Sequence, residues 1–128
     1  MTRHQITELG ELERTVLEIL WRAGRASADT VQKTLGRPLK ESTVRTVLKR
    51  LEEKGLIEHV VENRAYIYSA RESRAAAAAR AVKGILDRFC NGSLEEVLVG
   101  LLDTRLLEQR ELQRLAAKIA ASRAERKS

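Results

Sequence analysis

The sequence is poor in the residues that build disulfide frameworks, membrane spans and aromatic pockets. Its 128 residues include one cysteine, one proline, one tryptophan, two tyrosines and one phenylalanine. The single cysteine, Cys90, excludes an internal disulfide, and the lack of a CxxC pair favours a reducing compartment. No apolar run approaches the roughly 18 residues of a membrane helix, and the amino terminus has no signal-peptide pattern. We therefore expect a cytoplasmic protein that does not bind membranes directly.

Side chains that would support catalysis or metal binding are also sparse. The sequence has no plausible nucleophile and base arrangement and no glycine-rich phosphate loop. Its carboxylates are spaced for ion pairs with lysine and arginine on helix faces. His4, His59 and Cys90 are the only soft metal-ligand candidates, and their separation favours surface or packing roles. We therefore expect no enzyme activity, no metal and no cofactor, and nothing in the sequence assigns a role to Cys90.

Helical periodicity dominates what is present, and 43% of the residues are hydrophobic. Apolar spacing predicts helices over residues 8–23, 27–35 and 42–54, each stopped by a glycine. The Ser27 hydroxyl can cap the start of the second helix, and Val44, Val47, Leu48 and Leu51 form an apolar stripe on the third. A change to a period of two then predicts a hairpin with strands 57–61 and 65–69, in which Asn63 tolerates a left-handed turn. Three further helices are predicted over 73–90, 93–102 and from about 104, with fraying from Ala124 onward.

This order of elements predicts a mostly α fold. Two short helices, a longer third helix and a two-stranded ribbon are typical of a winged helix-turn-helix, which we place in residues 1–72. Residues 73–128 would form a three-helix dimerisation region. The outer face of the third helix should then contact DNA, and the turn between the strands would add a cation at the tip of the wing. The candidate DNA-binding residues are Ser42, Thr43, Arg45, Thr46, Lys49, Arg50 and Arg64.

The net charge of the whole chain says little about DNA binding, whereas the local charge of the third helix is informative. The chain carries 24 Lys and Arg against 18 Asp and Glu, a net +6, but residues 1–73 account for only +2 of it (13 cations, 11 anions). Residues 40–50 hold four cations and one anion, a local +3. An ordinary solvated helix face is the competing interpretation, and Glu53 on that face weighs against close phosphate approach. Tyr66 and Tyr68 favour packing of the strand on the helices over base stacking.

The carboxy-terminal helices carry more apolar surface than three short helices can bury against each other. An exposed apolar stripe of this kind normally marks a protein interface, here with a second copy of the chain. A bundle within a monomer is the alternative. The predicted dimerisation residues are Val82, Ile85, Leu86, Phe89, Leu94, Val97, Leu98, Leu101, Leu102, Leu112, Leu115 and Ile119.

Four sequence runs resemble the penicillinase repressor family of BlaI, MecI and CopY-type transcriptional repressors. They are LGELE at 9–13, ILW at 19–21, STVRTVLKRLEEKGLI at 42–57 and RAYIYS at 64–69. The family's recognition-helix pattern is matched by Thr43, Thr46, Arg50 and Leu51. The resemblance implies a homodimeric repressor whose winged helices bind the two halves of a palindromic operator in double-stranded DNA.

The chain departs from the family at both known switching devices. In antibiotic-responsive members a membrane sensor and protease system leads to a cut between Asn and Phe, but Gly100 and Leu101 occupy the cleavage-equivalent positions here. In copper-responsive relatives paired cysteines near the carboxy terminus bind metal, and residues 121–128 contain none. Two other functions stay open: a small-molecule-responsive winged-helix regulator, which should have an apolar pocket, and a winged-helix protein-interaction module without sequence-specific DNA binding.

Overall fold

The computed structural model describes residues 6–127 and confirms a mostly helical winged-helix fold. The chain divides into two compact units, Met1–Gly84 and Ile85–Ser128. The division falls inside a helix, and the boundary expected after residue 72 stays a prediction. The elements are α1 (Glu11–Ala23), β1 (Ala26–Ser27), α2 (Ala28–Leu35), α3 (Glu41–Glu53), β2 (Ile57–Glu62), β3 (Ala65–Ala70), α4 (Arg74–Phe89), α5 (Leu94–Asp103) and α6 (Gln109–Lys127).

The sheet has three strands rather than the two of the predicted hairpin. Its order is β1-β3-β2, and both pairings are antiparallel. The additional strand, β1, pairs Ala26 with Tyr68 and Ser27 with Ile67. Two residues are too few to show strand periodicity in the sequence, and Ser27 also serves as the N-cap of α2. The pairing ties the base of the hairpin to the segment that enters α2.

Capping side chains set several helix starts. The hydroxyl of Ser27 accepts a hydrogen bond from the Thr30 amide at 3.2 Å, as predicted, and Ser93 accepts one from Glu96 at the start of α5 at the same distance. The predicted start of the first helix at residue 8 is wrong. Residues Ile6–Glu8 form a separate 3-10 turn, and α1 begins at Glu11 after the N-cap Gly10.

The core lies in the first unit, and α3 contributes the most residues to it. Val44, Val47, Leu48 and Leu51 are all at most 4% exposed, which confirms the predicted stripe on this helix. They pack in one cluster with residues of α1, α2 and the sheet. Because this face of α3 is fully buried, the opposite face of the helix is left to solvent. The other fully buried large side chains of the cluster are Val16, Leu17, Leu20, Val31 and Ile57.

The end of the second unit differs from the sequence prediction. The last helix begins at Gln109 rather than near 104, because Arg105 adopts a left-handed backbone (φ 62°) after α5. The amides of Leu106 and Leu107 both donate to the Leu101 carbonyl, at 2.9 and 3.0 Å, which closes the turn. The helix then continues to Lys127, so the predicted fraying from Ala124 is wrong.

None of the twelve predicted dimerisation residues is buried in the single chain. Six of them are exposed: Val82, Ile85, Phe89, Leu94, Leu115 and Ile119. The other six are half-buried: Leu86, Val97, Leu98, Leu101, Leu102 and Leu112. The second unit therefore leaves a large apolar surface uncovered. Among residues 6–127, no helix combines the length and the apolar character needed to cross a bilayer.

Candidate nucleic-acid interface

The solvent-facing side of α3 carries the predicted binding residues. Ser42, Arg45, Thr46, Lys49 and Arg50 are exposed, and Thr43 is half-buried. Their exposure follows from the helical period, since the four buried residues of α3 occupy the opposite side. The helix therefore presents hydroxyls near its amino terminus and long cations along its length.

Two of these residues already have partners within α3. The guanidinium of Arg45 donates to the Glu41 carboxylate one turn earlier, with Nη2 at 2.7 Å and Nε at 3.1 Å. The Thr46 hydroxyl donates to the Ser42 carbonyl at 2.9 Å, which leaves its oxygen as an acceptor. By contrast, Lys49 and Arg50 form no ion pair in the part of the chain that the structure describes. The charge of Lys49 is available to an anionic partner, whereas the charge of Arg50 also acts on Glu13 of α1, although the two residues form no ion pair.

The wing consists of β2, β3 and the two-residue turn Asn63-Arg64. Both turn residues have left-handed backbones, with φ of 49° and 66°. Two consecutive positive φ angles are typical of the tight turn that matches the twist of a hairpin. The left-handed preference of Asn63 was expected, whereas that of Arg64 was not. Arg64 is exposed at the tip and, within the described range, forms no ion pair.

An open groove of about 730 Å³ lies beside α3 and the wing. Arg45, Lys49 and Arg64 all line it, so the structure brings these three predicted residues together. Ser42, Thr43, Thr46 and Arg50 lie outside the lining. The other lining residues were not predicted to belong to the interface, and they are Ser27, Ala28, Asp29, Glu41, Glu52, His59, Ala65, Tyr66 and Tyr68.

The three carboxylates of the groove are each paired within the protein. Asp29 lies 3.0 Å from Lys33, Glu41 binds Arg45, and Glu52 lies 2.6 Å from the Nδ1 atom of His59. Lys49 and Arg64 are the lining cations that have no ion-pair partner in the described part of the chain, whereas Glu52 has a charged partner only when His59 is protonated. The groove is only partly enclosed, and Arg45, Lys49 and Arg64 place three cations along it, so it can accommodate a polyanion that runs along the surface.

The two tyrosines of β3 have different environments. Tyr68 is 8% exposed and packs in the core, as predicted, and burial together with the nearby Glu52 and Tyr66 raises its pKa against an opposing effect of Arg45. The packing prediction is wrong for Tyr66, which is 52% exposed. Its ring stacks on His59 instead, with centroids 4.0 Å apart and an interplanar angle of 11°.

Of the three soft metal-ligand candidates, His59 lines the groove. His4 lies outside the described residues. Cys90 is half-buried near the end of α4 and forms no disulfide. Within residues 6–127, no group of three histidine, cysteine or acidic side chains could hold a metal ion.

Sequence comparison identifies relatives over most of the chain. The sequence model described as "Penicillinase repressor" matches residues 9–121. The penicillinase repressor of Bacillus licheniformis is 26% identical over 113 residues, which cover 87% of this chain and 88% of that protein. A transcriptional regulator named BlaI from Mycobacterium tuberculosis is 36% identical over 75 residues, or 55% of this chain and 53% of its own length.

Structural comparison agrees on the fold. The solution structure of the DNA binding domain of the repressor BlaI superposes with a TM-score of 0.51 at 24% sequence identity. The match covers 58% of this chain and 92% of that domain.

Proposed function

Because the chain belongs to the penicillinase repressor family of DNA-binding transcriptional repressors, we propose that it acts as a homodimer on a short inverted-repeat operator. The observation that carries this proposal is the set of unpaired cations on α3 and at the wing tip. Lys49, Arg50 and Arg64 are exposed, and within residues 6–127 they have no ion-pair partner. A long anionic duplex would neutralise them and release its own counterions.

Each predicted residue has a distinct role in the proposed complex. Ser42 and Thr43 lie in the first turn of α3, where hydroxyls and backbone amides favour phosphate. Arg45 and Lys49 would contact phosphates or base edges on the wing side of α3. Arg50 is suited to guanine, since a bidentate contact to a base contributes about 1–3 kcal/mol of discrimination. Arg64 would contact a phosphate or enter the adjacent minor groove.

The uncovered apolar surface of the carboxy-terminal helices supports the dimer. Phe89 is 76% exposed, and Leu94 and Ile119 are each 52% exposed. Apolar surface of this extent on a soluble helical region normally marks a protein interface. Two-fold symmetry would place two winged helices on one duplex, and the link between them would raise their combined affinity. It would also require an operator with matching symmetry.

A proteolytic switch driven by a membrane sensor remains mechanically compatible with this arrangement. Gly100 and Leu101, at the cleavage-equivalent positions, lie within α5. A cut between them would separate α6, with Leu112, Leu115 and Ile119, from the rest of the chain. The proposed dimer would lose that part of its interface, although the residue pair differs from that of the antibiotic-responsive members.

Selection of bound duplexes from a random-sequence pool tests the proposal directly. We expect enrichment of an inverted repeat. The spacing between the centres of its half-sites should be about 10 base pairs, which is one helical turn, or a multiple of that spacing. Sedimentation of the complex should give two chains per duplex. Failure to enrich any sequence would contradict specific DNA binding, and a single unrepeated half-site bound by one chain would contradict the dimer.

A further inference from the structure

His59 lies where the wing meets α3. It is in β2, directly opposite Tyr68 of β3, and its side chain is 26% exposed. On one side its Nδ1 atom lies 2.6 Å from Oε1 of Glu52 on α3. On the other side its ring stacks on Tyr66. The same imidazole therefore contacts both the proposed recognition helix and the outer half of the wing.

The outer half of the wing has few other attachments. The pairing of β1 holds β3 only at Ile67 and Tyr68. Beyond that point the wing continues through Tyr66 and Ala65 to the turn, and the ion pair between Arg25 and Glu62 is exposed. Among the residues that the structure describes, Glu52 and His59 form the only side-chain hydrogen bond between α3 and the wing. A two-stranded ribbon is only marginally stable without such support.

We propose that His59 is a positioning residue that holds the wing at a fixed angle to α3, so that Arg64 reaches DNA when α3 is bound. This inference rests on the proposed function, because it concerns the wing contact of that complex. The hydrogen bond to Glu52 fixes the imidazole relative to α3. The stacking of Tyr66 on the same imidazole fixes the start of β3, which follows Arg64 directly. The angle of the wing depends on these two contacts of His59 and not on its charge.

The test is a double-mutant cycle read from the salt dependence of DNA binding. Binding of the full-length chain to the selected duplex is followed by fluorescence anisotropy over a range of NaCl concentrations at one pH. A phosphate contact by Arg64 predicts that Arg64→Ala lowers the slope of log K against log salt by about 1. We expect His59→Ala to lower it by the same amount while Arg64 is still present.

Non-additivity distinguishes positioning from a general loss of structure. The double variant H59A/R64A should show no further fall in slope beyond either single variant, whereas the effects of H59A and R50A should add. His59→Phe keeps a ring for Tyr66, and His59→Gln keeps a hydrogen bond for Glu52, so each should recover part of the slope. His4→Ala, which changes the only other histidine, should leave the slope unchanged.

Two outcomes overturn the inference separately from the function. A folded H59A with the wild-type slope contradicts it, and so does full additivity between H59A and R64A. If thermal melting shows that H59A is unfolded, the Phe and Gln variants take its place in the cycle. Each should then have a slope between those of the wild type and R64A, and full additivity of either variant with R64A contradicts the inference. If Arg64→Ala leaves the slope unchanged in the wild-type background, the wing contact of the proposed function fails, and the inference fails with it.

Discussion

Glu13 of α1 and Lys54, the C-cap of α3, form an ion pair that joins the two helices across 41 residues of sequence. The Nζ atom of Lys54 lies 2.6 Å from Oε2 of Glu13, and the two side chains are 25% and 13% exposed. Burial raises the pKa of Glu13. The opposing effects are larger and bring the pKa below its ordinary value: hydrogen bonds from Lys54 and the Gly10 amide, and the charges of Lys54 and Arg50.

This lowered pKa makes part of the stability dependent on pH. A carboxyl group whose folded pKa is depressed stabilises the fold above its unfolded value of about 4.3, and the contribution is lost as the pH falls through the folded pKa. Glu13→Gln should therefore reduce the free energy of unfolding by about 1 kcal/mol at pH 7, with a smaller effect near pH 3. Urea unfolding at both pH values measures the difference.

The matched control is Glu11→Gln, also in the first turn of α1. The Glu11 side chain is 75% exposed in its pair with Arg37, so its replacement should change stability by less than about 1 kcal/mol. An equal loss for Glu13→Gln at pH 7 and pH 3 would show that packing rather than charge is responsible.

Arg50→Ala should reduce the preference for the selected operator over random duplex by about tenfold, since a bidentate base contact contributes about 1–3 kcal/mol. Thr46→Ala should act in the same direction and more weakly, because the Thr46 hydroxyl already donates to Ser42. Competitive anisotropy with operator and random duplex gives the ratio. As a control, Arg14→Ala removes an exposed cation from α1 and should leave the ratio unchanged. An unchanged ratio in Arg50→Ala would contradict base recognition by α3.

Arg64→Ala should weaken binding to operator and random DNA by similar factors, with the fall of about 1 in salt slope expected from one lost phosphate contact. Arg64→Lys keeps the charge and should retain the slope. Arg64→Gly suits the left-handed backbone at this position (φ 66°) and should stabilise the turn while losing the contact. A lower slope in Arg64→Ala than in Arg64→Gly would mean that turn geometry contributes to the effect as well as charge.

Leu101→Asp should convert the proposed dimer into a monomer. Leu101 is a half-buried residue of α5 within the apolar stripe, where a carboxylate in the interface would be strongly unfavourable. Sedimentation velocity at micromolar concentration measures the change. Gln113→Glu adds the same charge at an exposed polar position of α6 and should remain dimeric. A wild-type chain that is already monomeric under these conditions would contradict the dimer itself.

The sequence was sufficient to predict those features that depend on local chemistry. The apolar spacing of Val44, Val47, Leu48 and Leu51 predicted both the buried face of α3 and the exposed face opposite it. The Ser27 hydroxyl predicted the start of α2, and Asn63 the position of the turn in the wing. In each case the cause lies within a few residues of the structure it determines.

Other features depend on contacts between distant segments and left no local pattern. The two residues of β1 form a strand only because β3 lies beside them. Glu52 and His59 are seven residues apart, but they meet only when the chain folds back from α3 into β2. The leucines at 106 and 107 continue an apolar pattern, and the left-handed Arg105 that interrupts the helix had no glycine or proline to mark it.

Every fully buried residue of the described chain lies between Val16 and Ala81, so the first unit has a core of its own and the second has none. If a second copy covers the second unit, then the stability of that half follows mass action. A fall in cellular concentration would then reduce the folded fraction of the carboxy-terminal helices as well as the occupancy of the operator. Repression would then fall more steeply with decreasing protein concentration than operator occupancy alone requires. The exposed helices of the monomer would also be accessible to proteases.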